Sequence, residues 1–310
     1  MSIPEFEYDQ MIGGCGFFRV RHPLFPVSRC AEVIERAQEL FALPAGQKQL
    51  LAIEQSPHFR GYSVMESCHD WREQIHFGRE ESARAGLPVH HQLRGPNLWP
   101  VDPEWRGFVL RLMDDLETVG REVLSSLAKS LGFPESRFLR ESETPYLLLK
   151  MIHYRGTPEG LPRSGVAPHV DFSWITLLLQ DETGGLEVLN GEGSWMPAPP
   201  VRGTLLVNAG EILEFASNGA FPATPHRVVT GSGSRVSLPF FLNPGLDTRI
   251  EPIAAPQPPA ASCPGASGPP GVTTHVHRVF CTPRTLPFVF GDEEWRRKGL
   301  GKYCELCRPG

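Results

Sequence analysis

The apolar positions of this chain change rhythm near residue 145. Before that point they recur mostly at helical spacing. Val27, Cys30, Ile34, Ala37, Leu40 and Phe41 share one helical face, and Pro44 ends the run. A longer helix is predicted over 103–131, where Trp105, Val109, Leu112, Leu116, Val119, Val123, Leu127 and Leu131 form a single apolar stripe. Asp102 is placed to cap it and Pro103 suits its first position, while Gly132 and Pro134 close it. GFFRV at 16–20 reads as an early buried strand. Beyond 145 the apolar runs become short: YLLLKMIHY, SWITLLLQ, GLEVL, GTLLVNAG, HRVVTG and RVSLPFFLN, each bounded by Gly, Pro, Asn or Asp. Runs of that length and punctuation predict a β-sandwich or barrel.

The chain therefore divides into an N-terminal mixed α/β region over 1–144, packing on a β core over 145–252. Residues 253–272 are rich in Pro, Gly, Ala and Ser and read as a flexible loop. A tail over 273–310 holds one short helix, around GDEEWRRKGLGKY. The fold class is mostly β with flanking helices.

Composition narrows the function classes. The formal net charge is -5, with no basic stripe, so nucleic acid is not an expected partner. No apolar stretch approaches a membrane span, and the N-terminus MSIPEFEYDQ lacks the apolar core of a signal peptide. A cytoplasmic monomer acting on a small molecule is expected. The 7 cysteines are scattered and odd in number, which argues against a disulfide framework. Cys304 and Cys307, with His275, His277 and Cys281, could hold a structural zinc; the alternative is a plain thiol-bearing tail.

The chemistry concentrates at APHVDFSWITLLLQ. His169 and Asp171 are two residues apart, so on an extended strand their side chains share a face and can meet one ion. A third ligand is available at His226. Two histidines and a carboxylate occupy one face of an octahedral Fe(II) and leave three positions open. With 11 histidines in the chain, an HxD can also arise by accident. Further on, Arg235 and Ser237 repeat the two-residue spacing, and a guanidinium with a hydroxyl suits a carboxylate. A structural ion pair is the alternative for Arg235.

Together, HVDFSWITLLLQDETGGLEV, GSWMPAPPVRGTLLVNAGEILEFASNG, TPHRVV and RVSLPFFLNP resemble the catalytic domain of the isopenicillin N synthase-like, iron- and 2-oxoglutarate-dependent dioxygenases. Weaker echoes at GFFRVRHP, FRGYSVMESCHDWREQIHFG and GPNLWP extend the resemblance over roughly 16–250. It implies a double-stranded β-helix (jelly-roll) core, with Fe(II) on His169, Asp171 and His226. It also implies that Arg235, Ser237 and Tyr154 reach the distal carboxylate of 2-oxoglutarate, with O2 as the second cosubstrate. The chain departs from many plant members at Ile152 and Arg155, where they carry asparagine and proline, and at Glu211, where aspartate is common and a structural turn is expected. Arg60, Tyr62, Arg72, His76, Phe172, Trp174 and Phe241 lie where the family lines its substrate cavity; ordinary packing is the alternative for each. His90 and His91 read as surface residues.

The implied activity is oxidation of a small molecule, most simply hydroxylation, with release of succinate and CO2. The alternatives are an oxidase that omits 2-oxoglutarate and uses Arg235 for a substrate carboxylate, a non-catalytic ligand-binding barrel, and an interaction protein organised by a zinc-bound tail.

Overall fold

A computed structural model describes residues 3–10, 12, 15–67, 70–83, 86–140, 144–157, 163–253 and 287–300. The loop expected at 253–272 and the possible zinc ligands of the tail lie outside these residues, apart from Ile253. Among the described residues no helix is long and apolar enough to cross a membrane.

The strands are β1 (Glu5–Glu7), β2 (Phe17–Arg21), β3 (Gly61–Glu66), β4 (Trp71–Gly78), β5 (Leu147–Tyr154), β6 (Arg163–His169), β7 (Ile175–Gln180), β8 (Leu186–Leu189), β9 (Trp195–Pro197), β10 (Leu205–Ala209), β11 (His226–Thr230), β12 (Arg235–Leu242), β13 (Arg249–Ile250) and β14 (Phe288–Val289). Among the described residues they are accompanied by helices α1 (Val27–Ala42), α2 (Ala45–Gln49), α3 (Glu104–Ser130), α4 (Glu211–Ala216) and α5 (Phe290–Leu300). One sheet has the order β1-β2-β10-β7-β12-β5-β4-β3 and faces a second with the order β6-β11-β8-β9. The core is thus a jelly roll of two facing sheets and not a closed barrel. Each apolar run singled out beyond 145 forms a strand.

The period of the strands sorts the large sheet into two faces. Leu149 and Met151 on β5, Leu177 and Leu179 on β7, and Val236, Leu238 and Phe240 on β12 point outward, into one large apolar cluster with the buried stripes of α1 and α3. The alternate positions point toward the small sheet. Ile152 and Tyr154 join Leu186, Val188, Leu206 and Val228 there in a second, smaller cluster. Gly120 of α3 lets the helix approach closely: a Cβ there would lie 2.8 Å from the Leu242 side chain. The same helix begins as its sequence predicts, with the Glu104 N–H donating to the Asp102 carboxylate at 2.9 Å.

The N-terminal region contributes strands as well as helices. β2 pairs with β10 and β4 with β5, so β1 to β4 extend the core sheet at both edges. β3 and β4 were not expected as strands. His90, read as a surface residue, is buried in the short turn 89–93, because α5 packs over that turn. Cys30 is a buried thiol, whereas Cys15 is disulfide-bonded, which the scattered cysteines did not suggest.

Candidate metal and cosubstrate site

His169 ends β6 and His226 begins β11, and the two face each other as register partners. Their ring centroids are 4.4 Å apart. The backbone orients each ring from behind: Nδ1 of His169 lies 2.9 Å from the Ala167 carbonyl, and Nδ1 of His226 lies 3.0 Å from the Thr224 carbonyl. Donation of the Nδ1 proton to these carbonyls leaves Nε2 of each ring as a free lone pair, the arrangement metal-binding imidazoles adopt.

Asp171 leaves β6 toward the large sheet. Its Oδ2 accepts from the Thr176 hydroxyl at 2.6 Å and from the Asn208 side-chain amide at 2.8 Å. Thr176 and Asn208 are themselves cross-strand partners on β7 and β10. With Oδ2 held, Oδ1 faces the imidazoles, 3.5 Å from Nε2 of His169 and 3.7 Å from Nε2 of His226. Burial opposes ionisation of Asp171, but His226, His169 and the Thr176 bond together hold its carboxyl well below the usual carboxylate range. Burial and the neighbouring His169 push the His226 imidazolium pKa down, which favours the neutral, ligating ring. Two imidazole nitrogens and one carboxylate oxygen thus converge within 4.8 Å. This donor set fits a divalent iron with open positions.

Arg235 starts β12, paired with Tyr154 of β5. Nη1 donates to Ser237 Oγ and Nη2 to Gln180 Oε1, both at 3.1 Å, and the guanidinium carbon lies 4.8 Å from the Tyr154 ring centroid. Arg235 is 2% exposed, and its Nε has no partner. Among the described residues no carboxylate pairs with it, and its side-chain partners are Ser237 and Gln180 instead of the structural ion pair considered above. A buried cation with an orphaned N–H fits an incoming carboxylate.

The seven residues considered for substrate are dispersed. Arg60 donates to the carbonyls of His58 (3.0 Å) and Leu93 (2.7 Å), which spends it on the backbone. Tyr62, on the outer face, donates to Glu73 at 2.6 Å. Arg72 ties β4 to β6 through the Gly165 carbonyl at 2.8 Å. Trp174 packs on Phe138 and lines a cavity of about 730 Å³. That cavity, and another of about 840 Å³ beside α1, is lined by none of His169, Asp171 and His226. Phe172 stacks on Phe290 of α5, under the Arg297 guanidinium. Arg297 also reaches Glu211 at 3.0 and 3.2 Å, so Glu211 anchors α5 as well as opening α4. His76 and Phe241 remain on the inner face. His76 is 8% exposed with neither ring nitrogen partnered. Its register partner is Lys150, whose Nζ lies 5.0 Å from the Phe241 ring centroid. Burial, with Lys298 and Arg72 nearby, pushes the Lys150 ammonium down to about 8. Lys150, Gln180, Thr176 and Asn208 were not singled out in the sequence. Lys150 and Asn208 are each a single polar side chain on the inward phase of an otherwise apolar strand, while Thr176 and Gln180 share the inward phase of β7.

Comparison with known proteins decides between the chemistries this geometry permits. Residues 145–244 match the 2OG-Fe(II) oxygenase superfamily, and residues 9–102 match the non-haem dioxygenase in morphine synthesis N-terminal family. The 2-oxoglutarate-Fe(II) type oxidoreductase hxnY of Emericella nidulans is 32% identical over 250 residues, 75% of this chain and 71% of the relative. The chain belongs to the 2OG-Fe(II) oxygenase superfamily. It is a 2-oxoglutarate-dependent dioxygenase with Fe(II) and 2-oxoglutarate as its cofactors. Among other oxygenases, clavatol oxidase claD of Penicillium crustosum is 32% identical, over 77% of this chain and 79% of the relative. The fold is shared with a full-length Neurospora crassa protein solved in complex with alpha-KG and thymine, at a TM-score of 0.75 and 22% identity over 97% of both chains. Ile152, at the position where many plant members of the family carry asparagine, sits in the inner apolar cluster, and its side chain offers neither a hydrogen-bond donor nor an acceptor.

Proposed function

We propose that His169, Asp171 and His226 hold the iron, that Arg235 and Ser237 bind the distal carboxylate of 2-oxoglutarate over the Tyr154 ring, and that the enzyme hydroxylates a small acidic molecule. The observation that carries this reading is the convergence of two free Nε2 atoms and Asp171 Oδ1 on one point between the sheets. The bound iron and cosubstrate together supply the oxidising power: O2 and 2-oxoglutarate are consumed, succinate and CO2 leave, and one oxygen atom enters a substrate C–H bond.

The protein's own residues bind, orient and exclude water. Ala167 and Thr224 carbonyls fix the imidazole orientation, and Thr176 and Asn208 fix the carboxylate. Gln180 holds the Arg235 fork in place, so little side-chain entropy is lost when the carboxylate arrives. Leu206, Leu186 and Val228 make one part of the inner space apolar, which limits water beside the reactive chemistry. Lys150 and His76 support the choice of an acidic substrate: an ammonium and an unpartnered imidazole share the face of the sheet that carries Arg235 and Thr176.

Arg235→Gln tests the cosubstrate anchor. Removing one partner of a buried, hydrogen-bonded charge pair costs about 2–5 kcal/mol, or roughly 30- to several-thousand-fold in dissociation constant. Anaerobic calorimetry with the metal-loaded enzyme should place that loss on 2-oxoglutarate, with metal binding retained. Unchanged 2-oxoglutarate affinity with lost substrate binding would assign Arg235 to the substrate instead.

A further inference from the structure

A second cluster of the same composition as the first stands beside the start of α5. His90 and His91 come from the turn 89–93, and Asp247 from the turn after β12. Asp247 Oδ1 lies 3.0 Å from Nε2 of His90 and 2.9 Å from Nε2 of His91. The three ligand atoms fall within 4.8 Å of one another, and the two ring centroids are 4.8 Å apart. Neighbours in a helical turn do not normally face each other, so this convergence is a property of the turn's geometry.

The other ring nitrogen of His90 makes the arrangement specific. Nδ1 of His90 lies 2.8 Å from the Asp292 carboxylate on α5. A neutral imidazole carries one N–H. With that proton given to Asp292, Nε2 of His90 is turned toward Asp247 Oδ1, which also faces Nε2 of His91. Without a cation, protons on the Nε2 atoms bridge to Asp247; a divalent cation displaces those protons and takes the same three atoms as ligands. A carboxylate behind one imidazole, which fixes its tautomer and raises its basicity, is what commonly backs the histidine ligands of protein metal sites. His90 is 5% exposed, which favours a fixed geometry, whereas the Asp247 side chain is 70% exposed. His91 and Asp247 also line the cavity of about 730 Å³, so an ion and a completing water can enter.

We propose that His90, His91 and Asp247 bind a second divalent cation of the zinc class, with Asp292 as the orienting partner. Two nitrogens, one carboxylate oxygen and a water suit Zn²⁺ in tetrahedral coordination. The site joins three segments distant in sequence: the turn 89–93, the turn after β12 and the start of α5. Gly291 packs against the His90 ring so closely that a Cβ would lie 2.6 Å away, and its N–H donates to the Leu246 carbonyl at 2.8 Å. The opposite end of α5 holds Arg297 on Glu211 and over Phe172, next to the first site in sequence and in space. The cation therefore acts as a structural staple that fixes α5 across the oxygenase core.

The test is a metal count on the full chain. The protein is stripped with chelator, reconstituted with Zn²⁺ alone, desalted and measured by elemental analysis, with calorimetry for affinity. The expected wild-type result is two ions per chain, falling to one in Asp247→Asn and, separately, to one in Asp171→Asn. Asp292→Asn should keep the second ion but weaken it by about 10–100-fold, as removal of an orienting partner does. Asp247 is exposed, so its substitution leaves the fold intact even where His91→Gln does not. A single ion that depends on Asp171 alone overturns the proposal. So does a second ion that persists unchanged in Asp247→Asn, because it then belongs elsewhere in the chain.

Discussion

Asp171 presents its two oxygens to different partners, and that division decides what its neighbours do. Thr176 and Asn208 occupy Oδ2, so Oδ1 is left to the imidazoles. Thr176→Val should lower iron affinity by about 10–100-fold in an anaerobic Fe(II) titration while the far-UV spectrum stays unchanged. An unchanged affinity would make the Thr176 bond incidental. At the other end of the inner face, Lys150 loses charge as pH rises through about 8. Its surroundings are mixed: His76 and Arg72 face it from β4, Lys298 and Glu294 from α5, and Asp171 from beyond β6. Because kcat/KM reports the free enzyme, its value for an acidic substrate should fall as pH rises past about 8. Lys150→Met should be weaker at neutral pH and lack that limb. A pH profile shared by both proteins would remove Lys150 from substrate recognition. His169 with Asp171, and Arg235 with Ser237, stood out by their two-residue spacing, although Asp171 lies beyond the end of β6; His226 stood out only as a further imidazole within the family resemblance. Thr176, Asn208 and Gln180 did not, because their roles depend on which strands pair and in what register.

At the scale of elements, the apolar stripes of α1 and α3 were plain in the sequence, since a helix covering a sheet must show a continuous apolar face. β3 and β4 were not. β4 reads WREQIHFG, and its inward phase carries Arg72, Gln74 and His76 toward the polar interior of the site. Its outward phase holds Ile75 and Phe77 but also Glu73, and that one carboxylate interrupts the apolar alternation by which strands are recognised. That phase is anchored by Glu73, which accepts from Lys48 at 2.8 Å and from Tyr62, and lies 2.7 Å from Nδ1 of His153. Burial opposes ionisation of Glu73, yet His153, Lys48 and Tyr62 hold its carboxyl down to about 2, against 4.5 for a free glutamate. A depressed carboxylate pKa contributes stability that is complete above about 4.5 and is lost as pH falls toward about 2. Thermal unfolding across that window should therefore show a steep acid limb, shallower in Glu73→Gln. Equal slopes in the two proteins would show that the acid limb comes from other carboxylates.

For the whole molecule, the change of rhythm near residue 145 marks where the jelly roll takes over, but it is no break in the sheet. β1 to β4 pair into the same sheet as β5, β7, β10 and β12, so the N-terminal region builds part of the wall on which the site rests. Segment lengths and apolar rhythm revealed the β core; the joining of distant edges is a matter of long-range pairing, which leaves no local pattern. The site that results asks three side chains from β6, the turn after it and β11 to act as one unit. The most direct measurement is the rate of Fe(II)-dependent succinate formation from 2-oxoglutarate in the wild type and in Asp171→Ala, each checked for native circular dichroism. The prediction is that Asp171→Ala, free of wild-type contamination, retains less than roughly a tenth of the rate, because loss of a direct ligand exceeds the 10–100-fold cost of losing an orienting one. A folded Asp171→Ala protein that keeps more than that would contradict the assignment of the iron to His169, Asp171 and His226.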